Sequence, residues 1–247
     1  MDMKSNHAIE KGYESISSSQ MYEIENNGES IYSMKKTLMM ENAGSRIADF
    51  LIDEFKENIL ENSIVAVCGK GNNGGDSMVA IRHLSGYILA RNKAKNKINL
   101  SVIILCSPED FKTEESILNW QIISKMGSIR RLILDSNNIA EIEDEIKKAN
   151  IILDGIFGTG IKREIKEPYS KIIETINDKK GSTFILAVDI PSGLDPDSGK
   201  IIDKAISADA TITFHRPKHG LLKNPENVGR LIVKKIGIPF ETEKGVV

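Results

Sequence analysis

Ile64-Val65-Ala66-Val67-Cys68-Gly69-Lys70-Gly71-Asn72-Asn73-Gly74-Gly75-Asp76 is a short apolar run that breaks into a glycine-rich loop. The run is too short for an ordinary helix and rich in β-branched residues, so it reads as a strand buried on both faces. From Ser77 to Ala90 the apolar spacing turns helical, which makes the unit strand, loop, helix. The alternation continues downstream. Leu100–Leu105, Arg131–Leu134, Ile151–Leu153, Thr183–Val188, Ala210–Phe214 and Leu231–Lys235 read as strands, with candidate helices at Glu114–Met126, Ile139–Lys148 and Tyr169–Asn177. Upstream, Met34, Leu38, Ala43, Ile47, Phe50 or Leu51, and Phe55 recur at helical spacing, and Ser17 with Gln20 offers a capping box for a shorter helix. Such a series predicts an α/β fold: a three-layer αβα sandwich with a mainly parallel sheet and its ligand beyond the carboxyl ends of the strands. Residues 1–18 read as a polar lead-in and residues 19–247 as one domain.

Composition narrows the function. Thirty-three basic against 35 acidic residues leave a formal charge of −2, so no global field exists for gripping a nucleic-acid backbone. No apolar run approaches the roughly 18 residues of a membrane span. Two cysteines, Cys68 and Cys106, cannot build a disulfide framework and sit in apolar runs, which favours a reducing compartment. Acidic residues from Asp2 to Glu29 precede the first arginine, Arg46, unlike a transit peptide. The expectation is a cytoplasmic protein without membrane or nucleic-acid partners.

The glycine loop is a ligand-site candidate, because free backbone N–H groups at a helix start allow close approach. Gly69, Gly71 and Gly74 satisfy G-x-G-x-x-G, but the acid that ordinary NAD recognition wants at the end of the next strand is missing, since that strand ends Leu105-Cys106-Ser107. A Walker loop fails as well: Asp76 and Ser77 follow Gly74-Gly75 where Lys and Ser/Thr belong. Asp76 reads as a helix cap whose charge would repel a phosphate. Asn72 and Asn73 supply amides suited to hydroxyl or amide recognition and to a hard cation.

Two further strands end in a carboxylate followed by a flexible loop: Asp154-Gly155-Ile156-Phe157-Gly158-Thr159-Gly160 and Asp189-Ile190-Pro191-Ser192-Gly193. All three loops leave the same edge of a parallel sheet, so they are expected to meet in one cleft. A serine hydrolase is disfavoured, because G-x-S-x-G is absent around Ser192. His215, Arg216, Lys218 and His219 read as a solvated basic loop able to pair substrate phosphates.

Taken with Ala208-Asp209-Ala210-Thr211-Ile212-Thr213-Phe214, Pro217-Lys218-His219-Gly220 and Met39-Met40-Glu41-Asn42-Ala43-Gly44, these motifs resemble the NAD(P)H-hydrate epimerases, the YjeF N-terminal domain family, over nearly the whole chain. The resemblance implies a Rossmann-like domain that interconverts the R and S forms of hydrated NADH and NADPH (NADHX and NADPHX), with Asp189 as acid/base. It implies a potassium ion on Asn73, Asp154 and Ser192. Substrate contacts are implied at Asn72, Asn73, Gly74, Gly75, Asp76, Gly158, Thr159, Gly160, Ile161, Lys162, Arg163, Glu164, Tyr169 and Asp189. It further implies a homodimer and a separate NAD(P)HX dehydratase as functional partner. Ser77 departs from the family's usual glycine. The alternative is a non-catalytic binding module of the same fold, of the RNA-decapping scaffold or apolipoprotein-binding type.

Overall fold

The computed structural model describes residues 14–91, 99–159, 164–201 and 203–247. Helix α1, Ser18–Tyr32, starts at a complete capping box: Ser17 Oγ accepts the Gln20 N–H at 3.1 Å and Gln20 Oε1 accepts the Ser17 N–H at 2.9 Å. There follow α2 (Lys36–Phe55), β1 (Ile64–Cys68), α3 (Asn72–Arg91), β2 (Leu100–Ile104), α4 (Glu114–Ile123), β3 (Arg130–Ile133) and α5 (Ile139–Lys147). The second half runs through β4 (Ile151–Gly155), α6 (Tyr169–Asn177), β5 (Phe184–Val188), β6 (Ala210–Phe214), the single turn α7 (Pro225–Val228) and β7 (Arg230–Lys234). Part of the expected lead-in, residues 1–13, lies outside the described residues, while Ile16 already pairs with Lys218 across the fold.

The seven strands form one sheet in the order β3-β2-β1-β4-β5-β6-β7, and every pairing is parallel. Alternate residues of β1 enter opposite layers. Ile64, Ala66 and Cys68 join a core with Ile47, Leu51 and Ile81, whereas Val65 and Val67 join one with Ile142, Ile172 and Ile176. That two-sided burial is the αβα sandwich expected of near-continuous apolar strands.

Between β1 and β4 the strand order reverses. Ligand crevices form at such a switch point, because the loops from neighbouring strands diverge there to opposite faces. The register puts Val67 beside Asp154 and Asp154 beside Ala187, so the carboxyl ends of β1, β4 and β5 are level. Gly69 is required at this junction: a Cβ there would lie 1.8 Å from the Ile156 carbonyl oxygen.

One expectation is corrected. Helix α3 starts at Asn72, not Ser77, and Asp76 lies inside it instead of capping it. The Gly75 N–H donates to Gly71 O at 3.2 Å, closing the first turn five residues early. Asparagine and glycine are poor helix formers, so propensity hides a turn that tertiary contacts enforce. Ser77 fits without a glycine's freedom, being helical and donating its hydroxyl to Asn73 O at 2.8 Å.

Candidate active site

Asp189 immediately follows β5 in a left-handed conformation, φ 63°, held by its own N–H donating to Ile212 O at 2.8 Å. Strain of this kind in a non-glycine residue is tolerated where surrounding contacts over-determine it. Here they do: Thr213 of β6 donates its hydroxyl to Asp189 Oδ1 at 2.8 Å, and Lys218 Nζ pairs with the same oxygen. Lys218 also reaches Thr213 Oγ1 at 3.1 Å. Although Lys218 is a lysine, it is only 2% exposed. Its backbone is pinned by Ile16, whose N–H donates to Pro217 O at 2.9 Å and whose carbonyl accepts the His219 N–H at 3.0 Å.

Behind the cleft lies a second carboxylate. Asp154 is wholly buried and accepts from Ser192 N–H at 2.8 Å, Ser192 Oγ at 2.5 Å and Ile156 N–H at 3.3 Å. Burial pushes its pKa up to about 6 despite those three bonds, and no Lys or Arg pairs with it among the described residues. Asn73 joins the loops: its Nδ2 donates to Val188 O at 2.5 Å and to Phe157 O at 3.4 Å. Its Oδ1 accepts no hydrogen bond among the described residues and faces Gly158, where a Cβ would come within 2.5 Å of it.

Asn73 Oδ1, the Asp154 carboxylate and Ser192 Oγ are oxygen donors around an uncompensated buried charge, a set that fits a hard cation. It does not fit a soft metal, for no group of three His, Cys, Asp or Glu side chains gathers among the described residues. Cys68 and Cys106 are buried free thiols with pKa values raised by burial, Cys106 to about 11, and serve as core.

In front of these groups lies a cavity of about 160 Å³ lined by Asn72, Asn73, Asp76, Thr159, Asp189 and Lys218 on the strand-end side. Cavities of roughly 150 Å³ take benzene, so the space matches one six-membered ring. Helix α1 supplies the facing residues Ser18, Met21, Tyr22 and Glu25. Burial pushes Glu25 up to about 7, with Asp189 raising it further and Lys218 opposing. Asp76 is driven well above the usual carboxylate range by burial and then by Asp189 and Glu25.

The remaining residues singled out in the sequence separate. Gly74 and Gly75 are buried in the first turn of α3, and a Cβ on Gly75 would meet Met40 Cε at 2.5 Å. Tyr169 is not among the cavity-lining residues; its ring stacks 5.4 Å from that of Phe157 and its hydroxyl donates to Leu105 O at 2.7 Å. Glu164 is exposed, and Gly160, Ile161, Lys162 and Arg163 lie outside the described residues. The basic cluster expected in solvent is corrected: His215 and Arg216 bind Glu243, His219 Nδ1 meets Ser15 Oγ at 2.8 Å and Lys218 is committed to Asp189. His215 stays neutral, its pKa lowered by burial to about 4. Lys218 is read from the sequence as a partner for substrate phosphates, not for Asp189, while Thr213 and Glu25 are not singled out as site residues. A polar Thr213 inside an apolar strand was the available signal for Lys218 and Thr213.

Fold and site define a three-layer α/β protein with a small-molecule cleft at its switch point. Residues 36–220 match the model of the family described as YjeF-related protein N-terminus, and the chain belongs to that family. Over 232 residues, 94% of this chain and 99% of each relative, it is 40% identical to an NAD(P)H-hydrate epimerase of Nitrosopumilus maritimus (strain SCM1) and 42% identical to one of Cenarchaeum symbiosum (strain A). The crystal structure of the yeast protein YNL200c superposes with a TM-score of 0.69 at 24% identity, covering 90% of this chain and 88% of that one, a likeness of fold.

Proposed function

We propose that the chain is an NAD(P)H-hydrate epimerase, an isomerase that interconverts the R and S forms of NADHX and NADPHX in cofactor repair, with Asp189 as acid/base. The observation that carries this is the Asp189 carboxylate, oriented by Thr213 and Lys218 at the wall of a ring-sized cavity. Relatives of that name align over almost the full length of the chain and support the same reading.

The substrate carries a hydroxyl on the ring carbon beside the nitrogen. The nitrogen lone pair can expel that hydroxyl if it is protonated as it leaves, and the resulting cationic ring accepts water on either face. Acid/base help from a carboxyl group speeds departure and return alike, and Asp189 supplies it on the face that it touches. Asn72, Asn73, Asp76, Thr159 and Asp189 line the cavity and would contact the ring and its amide, with Gly158, Gly160–Glu164 and Tyr169 assigned to the rest of the dinucleotide.

A potassium ion would be held by Asn73, Asp154 and Ser192. When bound it supplies positive charge that keeps Asp154 ionised and fixes the loop carrying Ser192. The fit is supported by two features among the described residues: no Lys or Arg pairs the buried Asp154, and the Asn73 amide oxygen accepts no hydrogen bond.

Epimerisation is useful only if a second, stereospecific enzyme consumes one hand, so a separate dehydratase is the proposed functional partner. A cytoplasmic homodimer completes the proposal. No described helix is long and apolar enough to cross a membrane.

The test is incubation of the protein with one purified epimer and chiral separation of the products over time. Interconversion well above the uncatalysed rate is expected. Ligand binding without interconversion would assign the chain to the binding modules of this fold.

A further inference from the structure

The cavity holds more acid than one buried cation can neutralise. Glu25 from α1, Asp76 from α3 and Asp189 from the end of β5 line the same space, with Lys218 committed to Asp189. Asp76 is only 7% exposed and has no hydrogen-bond partner among the described residues, nor does the Glu25 carboxyl. Two carboxyl groups with unused hydrogen-bonding capacity facing a ring-sized cavity point to a ligand that supplies the missing partners. Glu25 stands on a different wall from Asp189: it comes from the N-terminal helix, Asp189 from the strand ends.

Inversion at one carbon by departure and return of water needs proton transfer on both faces of the ring. A single carboxylate serves the face it touches. We propose that Glu25 is the second acid/base of the epimerisation, acting on the ring face turned to α1 while Asp189 acts on the face turned to the sheet. The proposal rests on the epimerase reading above and deepens it.

In one direction Glu25 gives its proton to the departing hydroxyl. The carbon–oxygen bond breaks as the nitrogen lone pair moves into the carbon–nitrogen bond, and a water molecule leaves. Another water then bonds through its oxygen to the same carbon from the opposite face, passing a proton to Asp189 as the electron pair returns to nitrogen. One water is released, one is consumed, and the proton lost by Glu25 equals the proton gained by Asp189, returned through solvent before the next turnover. The reverse direction exchanges the two roles.

Either direction needs one proton shared between the two carboxyls. Lys218 pairs directly with Asp189, and burial lifts Glu25 to about 7, so Glu25 has a proton to give near neutral pH. The charged groups around Glu25 are Lys36 from α2, Asp76 from α3, Glu115 from α4, and Asp189 and Lys218 from beyond β5 and β6. The Phe240–Glu243 turn, packed on α1, adds Glu241 and Glu243, the latter tied to Arg216 and His215. As pH rises past about 7 Glu25 gives up its proton to solvent, and turnover falls in both directions.

The experiment compares wild type, Glu25→Gln, Glu25→Asp and Asp189→Asn, using purified NADHX epimers. Chiral chromatography reads the rate against pH, and calorimetry reads affinity. Glu25→Gln is expected to invert about 10²–10⁴-fold more slowly with affinity retained and to lose the decline above pH 7, with Glu25→Asp restoring part of the rate and the decline. A Glu25→Gln protein at the wild-type rate, or one slowed with the wild-type pH profile, would overturn the proposal. Slow Glu25→Gln with undiminished Asp189→Asn would instead sink the Asp189 role, and a wild type inert on both epimers the epimerase reading itself.

Discussion

Lys218 and Thr213 both donate to Oδ1 of Asp189, and Oδ2 of the same carboxylate has no partner among the described residues. One oxygen is thus spoken for by the protein, and the other is left without a described partner in a residue that lines the cavity. Such a division fixes the plane of the carboxylate without blocking proton transfer.

Replacing Asp189 by Asn keeps the shape and the acceptor for Lys218 but removes the exchangeable proton. Epimerisation should fall about 10²–10⁴-fold while affinity for NADHX changes little. Chiral chromatography and calorimetry on the same preparation check the two halves, and a wild-type rate would remove Asp189 from the mechanism.

Lys218→Met leaves a largely buried carboxylate without its counter-charge. Breaking one side of such a pair costs about 3–5 kcal/mol, so the variant should unfold at clearly lower urea concentration. The double variant with Asp189→Asn should lose less than the sum of the two single changes, because the stranded charge is gone. Additive losses would mean that the two residues do not interact.

With the proposed cation at its side, Asp154 should make stability depend on pH and potassium together. Its folded pKa is raised from 3.8 to about 6, so the folded state holds the proton more tightly than the unfolded chain does. Its contribution therefore favours folding at low pH and is lost as pH rises through that window. A cation beside the ionised carboxylate offsets the loss. Thermal melting in potassium chloride against tetramethylammonium chloride should show stabilisation above pH 6 that vanishes near pH 5, and none at either pH in Asp154→Asn.

Gly44→Ala should be a stability variant, not a binding variant. A Cβ at Gly44 would lie 2.3 Å from Val79 Cβ and 2.8 Å from the Asp76 carbonyl, where α2 crosses α3. Overpacking typically costs about 1–3 kcal/mol, and the added Val79→Ala change should recover little of it, because alanine keeps the Cβ and the Asp76 carbonyl stays in place. Chemical denaturation of both variants decides; an unaltered midpoint for Gly44→Ala would contradict the packing.

The fold was legible because its signals are local. Each central strand is a short β-branched run, and Tyr169–Asn177 and Ile64–Cys68 have the boundaries their spacing indicates. The start of α3 was hidden, since Asn72 to Gly75 oppose helix by propensity and become helical through packing against their neighbours. Asp154 and Asp189 could be read as strand-end carboxylates on one edge. Lys218 could not, because a lysine is buried only when a distant partner compensates it, and the partner stands 29 residues earlier. Glu25 was opaque for a similar reason: its helix announces an amphipathic face but not the cavity that face covers.

Helix α1, which forms one wall of the cavity, is tethered to chain made much later. Ser18 bonds Asp197, Asn27 Nδ2 reaches Thr242 O at 3.0 Å and Gln20 Nε2 reaches Val246 O at 2.8 Å. During synthesis at roughly 5–20 residues per second, helix α1 waits for these three partners until Asp197, Thr242 and Val246 have followed it. The sheet can assemble outward from β1 meanwhile, but this cavity wall closes late: a chain interrupted just after Asp189 carries both that residue and helix α1 without the later contacts that hold the helix over the pocket.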